Sequence, residues 1–134
     1  MKARHSAAWV GSKQPRKQRK YRYNAPLHIK GKFMIAHLVK NLREKYQLRS
    51  LRVRTGDKVR VLRGQYKGHE GKVERVDVKK TRLFISKVDF LKKDGATRVP
   101  YPVSPSNVMI VEFETTDKAR GEMLKARADK AKKD

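Results

Sequence analysis

The stretch GQYKGHEG, residues 64–71, sets Gly64, Gly68 and Gly71 around a phenol, a primary amine and an imidazole. Glycine allows positive φ and lets a backbone come close to another chain, and a run of loop amides so exposed can press against phosphate. Tyr66, Lys67 and His69 add stacking, charge and a hydrogen bond. The glycines alone say little, because a tight hairpin needs them with no ligand present. Their spacing is neither a dinucleotide-binding GxGxxG nor a phosphate loop, and no GK[ST] follows.

A second cationic stretch lies upstream. KQPRKQRKYRYN, residues 13–24, carries Lys13, Arg16, Lys17, Arg19, Lys20 and Arg22 with Tyr21 and Tyr23 interleaved and no carboxylate. Such a segment builds no core by itself. It suits phosphate neutralisation, and its phenol rings can stack on unpaired bases. It therefore reads as an RNA-binding arm, residues 1–24, in preference to a solvated tail or an import signal. Lys30 and Lys32 follow, and then Arg49, Arg52 and Arg54 form an extended basic lead whose alternate side chains share a face. Lys58, Arg63 and Lys72 flank the glycine loop, and Lys79, Lys80 and Arg82 make a later turn cationic. Lys92 and Lys93 serve equally well as contacts or as solubilising charge.

Other chemistries find no footing. Glu112 and Glu114 alternate onto one strand face, with Asp77 and Asp89 in neighbouring strands, and pairing with surplus lysines accounts for all four. No serine or threonine stands in a nucleophile motif, and the absence of cysteine removes thiol chemistry and disulfides and points to a reducing cytoplasm. His28 and His37 are nine residues apart, which is no metal-pair spacing. Neither an enzyme, a cofactor nor a small-molecule substrate is expected.

The elements that position these residues follow from periodicity. Pro26 suits a first helical turn, and Leu27, Ile29, Phe33 and Met34 can line one side of a short helix that Gly31 weakens. Leu38, Val39, Leu42 and Tyr46 then recur at helical spacing, so the segment 25–55 is expected to hold two short helices or one kinked one before the basic lead. Val59 and Val61 alternate with Lys58 and Arg60 as in a half-buried strand. The next strand starts near Lys72, and the parity change between Val73 and Val76 predicts a bulge near Glu74 and Arg75. Leu83 and Ile85 alternate again, Asp94-Gly95 suits two positive-φ turn positions, and Pro100, Pro102 and Pro105 predict an irregular loop or brief helical turn. Residues 108–113 are apolar on both faces, as in a central strand. From Asp117 the composition predicts a solvated or RNA-lying helix with a frayed end.

Charge concentrates where the arm lies. The 134 residues carry 36 Lys and Arg against 13 Asp and Glu, a net charge of +23. Residues 1–55 hold 16 of those cations and a single acid, Glu44, for a net +15. Such a field seeks polyanions. No apolar run approaches the roughly 20 residues of a membrane span, and the apolar stretch in residues 1–12 is too short for a signal peptide. A soluble, intracellular protein is expected.

The alternating strand, the YKGHEGKV loop and the second valine-rich strand together resemble a KOW motif, found in large-subunit ribosomal proteins and in transcription elongation factors. The flanks distinguish the two. RKQRKYRYNAPLHIKGKF, LREKYQLRSLRVRTGD and VSPSNVMIVEF resemble the archaeal and eukaryotic form of the large-subunit ribosomal protein family numbered twenty-four in the universal nomenclature, over about residues 13–132. An elongation factor would set a separate α/β domain before its KOW motif, whereas here there is a basic arm. The resemblance implies a mainly β fold, with an SH3-like β-barrel over residues 56–116, short flanking helices, the basic N-terminal arm and a helical C-terminal tail over residues 117–134. It also implies binding to large-subunit rRNA early in assembly, contact with the 5′ domain, a place near the peptide tunnel exit, and neighbouring large-subunit ribosomal proteins as partners. Carried over by motif, the contact positions are residues 13–22, 49–54 and 64–72; residues 1–12 lie outside the resemblance.

Overall fold

The computed structural model describes His5, residues 11–114 and residues 116–131. The role of residues 1–12 therefore falls largely outside the described residues, as does the end of the C-terminal tail.

The basic arm is a helix. Pro15 occupies its first turn, where the missing N–H costs nothing, and the straight-chain Lys, Arg and Gln side chains that follow lose little freedom on coiling. The result is α1, Pro15–Asn24, with none of its residues buried. It stops ahead of Pro26, which disfavours helical backbone in the residue before it. Its last turn rests on the next helix: the Arg22 guanidinium lies 5.5 Å from the Phe33 ring centre, and Tyr21 meets the same ring edge-on at 6.4 Å. A second helix, α2, Leu27–Lys32, follows. Of its expected apolar side, Leu27 is exposed and Ile29 half-buried, while Phe33 and Met34 fall beyond the helix end, Met34 in the core.

Residues 35–38, expected to be helical, form a strand instead. In β1, Ile35–Leu38, burial alternates, with Ala36 and Leu38 inward, and helix resumes only as α3, Lys40–Tyr46. Pairing decides the outcome. β1 runs antiparallel to β2, Ser50–Arg52, and parallel to β8, Val108–Glu112, so both its edges are satisfied by partners that local periodicity cannot reveal. α3 ends where Gln47 turns left-handed at φ 49°.

The central strands follow their alternation. β3 is Lys58–Val61, β4 is Glu70–Asp77 and β5 is Arg82–Ile85. The ladder of β4 and β5 slips between Val73 and Arg75, the expected bulge. The strand order is β2-β1-β8-β3-β4-β5, with β8 central. The sheet is mixed and open at β2 and β5, and no closed barrel forms among the described residues. A separate antiparallel ribbon pairs β6, Asp89–Leu91, with β7, Arg98–Pro100. At its tip Gly95 alone takes positive φ, 71°, while Asp94 instead accepts hydrogen bonds from the Thr97 and Ala96 amides. The bond from the Thr97 amide, foremost, holds the Asp94 carboxyl below its usual range. The proline-rich segment supplies a short 3-10 turn, Pro105–Asn107.

Met34, Leu38, Val59, Val61, Leu83, Ile85, Val108 and Ile110 form the buried core with further valines, each worth about 1.5–3 kcal/mol for its removal from water. Leu124 of the C-terminal helix α4, Lys118–Ala131, joins the same cluster, so the expected C-terminal helix forms and is docked on the core. Among the described residues no helix is long and apolar enough to cross a membrane.

Candidate nucleic-acid interface

The glycine loop joins β3 to β4, and two of its glycines meet the expected backbone requirement, Gly64 at φ +92° and Gly68 at φ +85°. Its amides turn inward. Gly68 donates to the Val61 carbonyl at 2.8 Å, Lys67 to that of Gly64 at 3.1 Å and His69 to that of Tyr66 at 3.1 Å. These three N–H groups build the turn and do not form the expected phosphate cradle. The aromatic members are likewise engaged: the Tyr66 hydroxyl donates to the Asp89 carbonyl, its ring lies 5.2 Å from that of Tyr101, and the His69 Nε2 sits 3.2 Å from the Ser86 carbonyl. Lys67, by contrast, is exposed at the loop tip.

Gly71 has a different reason. Its φ is not positive, but a Cβ there would stand 2.8 Å from the Ile85 Cγ2, the Ser86 carbonyl and the Ser86 Oγ. β4 can approach the end of β5 only where no side chain intervenes. Gly71→Val is therefore expected to cost about 1–3 kcal/mol by overpacking. Lys67→Ala, changing an exposed side chain, should stay within about 0.5 kcal/mol of wild type. Urea denaturation of both variants, followed by circular dichroism, checks the contrast; equal midpoints would refute the close-approach account.

The cations gather on surfaces outside the core. Lys13 just before α1 and Arg16, Lys17, Arg19 and Arg22 on it are exposed, and Lys20 is half-buried. Tyr21 is half-buried towards Phe33, whereas Tyr23 is 82% exposed, with the Lys30 ammonium 5.9 Å from its ring centre. Only the second phenol thus keeps the freedom a stacking platform needs. The basic lead runs beside α2: the Arg52 guanidinium packs about where a Cβ on Gly31 would be, at 2.9–3.0 Å, near Lys30 and Lys32. Arg49, Arg52 and Arg54 are exposed, although Arg54 forms an ion pair with Asp117. Lys58 is partly neutralised by Glu112 at 3.4 Å. Arg63, Lys72, Lys79 and Lys80 are exposed, and Arg82 is half-buried with its Nη1 donating to the Thr81 carbonyl at 3.2 Å. His28 lies on α2 and His37 on β1.

What sets the lead in place is a pair that the motifs did not single out. Asp57 is 0% exposed and Arg120 of α4 is 3% exposed. The two form a bidentate contact, Nη1 to Oδ1 at 2.6 Å and Nη2 to Oδ2 at 2.9 Å. The carboxylate also accepts the backbone amides of Arg54 at 2.8 Å and Glu114 at 3.0 Å. Arg120 in turn donates to the Arg52 carbonyl at 3.2 Å and lies 5.4 Å from the Phe113 ring centre. Every oxygen of the buried carboxylate is satisfied, as burial of a charge requires. Asp117 caps α4 by accepting the amides of Ala119 and Arg120 at 3.0 and 3.3 Å. One signal was legible: Asp57 shares the parity of buried Val59 and Val61, so a carboxylate had to enter the core there.

The geometry is that of a small sheet with its cations on the outside, and comparison with known proteins says which family has this sequence. The family described as ribosomal proteins, L26 in its eukaryotic form and L24 in its archaeal form, matches residues 12–127. A protein named large ribosomal subunit protein uL24 from Methanocorpusculum labreanum is 50% identical over 121 residues, covering 90% of this chain and 99% of the relative. Another of the same name from Methanoculleus marisnigri is 54% identical over 115 residues, covering 86% of this chain and 94% of its own length. Matched along nearly its whole length in both comparisons, the chain belongs to the family of eukaryotic L26 and archaeal L24 ribosomal proteins.

Proposed function

We propose that this chain is a structural constituent of the large ribosomal subunit that binds large-subunit rRNA, and is not an enzyme. The observation that carries the reading is the coincidence of family membership with an all-cationic helix: α1 has six Lys and Arg in and beside it and no acid with which to pair. Its affinity comes from phosphates. In this reading Lys13, Arg16, Lys17, Arg19, Lys20 and Arg22 meet the backbone of the RNA and Tyr23 offers a stacking face. Arg49 and Arg52 of the lead, Lys30 and Lys32 of α2, and Arg63, Lys67, Lys72, Lys79 and Lys80 around the glycine loop extend the contact. The strands β3, β4 and β5 with their glycine loop make the KOW unit of an SH3-like arrangement. The chain joins the rRNA early in assembly, near the peptide tunnel exit, beside other large-subunit proteins in the cytoplasm.

Sedimentation of the tagged chain through a sucrose gradient of a cell lysate tests this. The expected result is comigration with large subunits that is lost on ribonuclease treatment. Comigration with RNA polymerase would replace the reading by that of a transcription elongation factor.

A further inference from the structure

Beside the glycine loop lies a cavity of about 220 Å³, with Arg63, Tyr66, Arg82, Tyr101, Ser104 and Asn107 among its lining residues. Resting on the RNA-binding reading above, we propose that it receives one unpaired nucleotide of the bound RNA, its base against the two phenol rings and its phosphate against the guanidinium groups.

Three separate pieces of chain, residues 61–66, 82 and 101–107, make this cavity, and backbone bonds hold them together. Leu62 donates to the Asn107 carbonyl at 2.8 Å, and Leu83 and Val103 exchange amide bonds at 2.8 and 2.9 Å. Tyr101 is tied by its amide to the Val88 carbonyl at 2.8 Å, and the Tyr66 ring is pinned through its hydroxyl to the Asp89 carbonyl. The aromatic wall therefore stands before any ligand arrives, and little ordering cost falls on binding. This also gives a purpose to a tyrosine whose hydroxyl is already engaged: the bond orients the ring, and stacking needs only the ring.

Size and chemistry select the occupant. Sites for drug-sized molecules or cofactors run to about 300–1,000 Å³, so 220 Å³ suits a single planar base. The Tyr66 and Tyr101 rings, 5.2 Å apart and inclined at 52°, offer π surface, while the Asn107 amide and the Ser104 hydroxyl offer donors and acceptors to a base edge. Arg63 and Arg82 supply two guanidinium groups, and the residues lining the cavity include no carboxylate to neutralise them. An unpaired nucleotide unites a flat base and an anion in one residue; a duplex presents its bases already stacked.

The test uses the whole chain with a large-subunit rRNA transcript from Methanocorpusculum labreanum. Ultraviolet crosslinking of the wild-type complex, mapped by mass spectrometry, should find a nucleotide on Tyr66 or Tyr101. Tyr101→Ala should weaken binding about 5- to 150-fold, the worth of one base stacked on an aromatic ring, without changing the dependence of log affinity on log salt. Arg82→Gln should flatten that slope by about 0.7–0.9, one phosphate's share. Crosslinks confined to α1 and the lead, or a folded Tyr101→Ala variant that binds like wild type, would overturn the pocket while the RNA-binding role stands. Failure of the wild-type chain to bind the transcript would overturn both. Titration with uridine 5′-monophosphate separates a free nucleotide from an RNA residue: saturable binding with no RNA crosslink in the cavity also overturns the proposal.

Discussion

Asp57→Ala is expected to remove about 3–5 kcal/mol of folding stability, the cost of leaving one member of a buried ion pair alone. Small domains have about 5–15 kcal/mol in total, so the variant should lose a large share of its stability. The loss is not confined to charge. Arg120 is left 3% exposed with no counter-ion, and the amides of Arg54 and Glu114 lose their acceptor. Asp57→Asn keeps an oxygen for one amide and should fall between wild type and Asp57→Ala. Combining Asp57→Ala with Arg120→Met should recover part of the loss, because no unpaired charge remains, but not all, because both amides stay orphaned. Urea denaturation followed by circular dichroism measures the series. A loss under about 1 kcal/mol for Asp57→Ala, the range of an exposed pair, would show that the contact is solvated.

The second large effect concerns α1 and is electrostatic. Replacing Lys13, Arg16, Lys17, Arg19, Lys20 and Arg22 by Gln preserves helix propensity, since Gln ranks close to Lys and Arg, and removes six charges. If each cation neutralises one phosphate, the slope of log affinity for rRNA against log salt should flatten by about 4–5, at roughly 0.7–0.9 per contact. Six to ten phosphate contacts account for about 10³–10⁵ in affinity between low and moderate salt, so the deficit of the variant should be largest at low salt and shrink as salt rises. Substitution serves better than deletion here, because it leaves Tyr21 on Phe33, the residue that ends α2. An unchanged slope would mean that α1 does not touch the RNA.

Residues with short-range reasons were legible from the sequence. Val59 and Val61 announced β3, the parity change from Val73 to Val76 announced the bulge, and the all-apolar run after Val108 announced a central strand. Failures came where a distant partner decided. Residues 35–38 carry a pattern that fits helix or strand, and the choice falls to strand because β8, more than 70 residues away, supplies a parallel edge. The charge of the arm predicts a segment with no core of its own, yet Pro15 and a run of good helix formers give α1, which docks through Arg22 and Tyr21 on an aromatic ring that composition does not reveal. Within the candidate site, sequence identified the cations by type but not their engagements. The Tyr66 hydroxyl is bonded to the Asp89 carbonyl of β6 and the His69 ring lies beside the Ser86 carbonyl, engagements that their chemistry alone does not reveal. Gly71 looks like its two neighbours in sequence, although close packing, not φ, explains it.

The bond between Asp57 and Arg120 joins positions 63 residues apart, and that separation has a temporal meaning. During synthesis the carboxylate emerges 63 residues ahead of its guanidinium. Until then the start of β3 has no counter-ion, and α4 is not there to brace the basic lead. A polypeptide released before residue 120 carries an anion that can neither be buried nor easily left in water without opening the sheet. The latch on the basic lead thus closes only once α4 has been made, and from then on the cations stand in a fixed array.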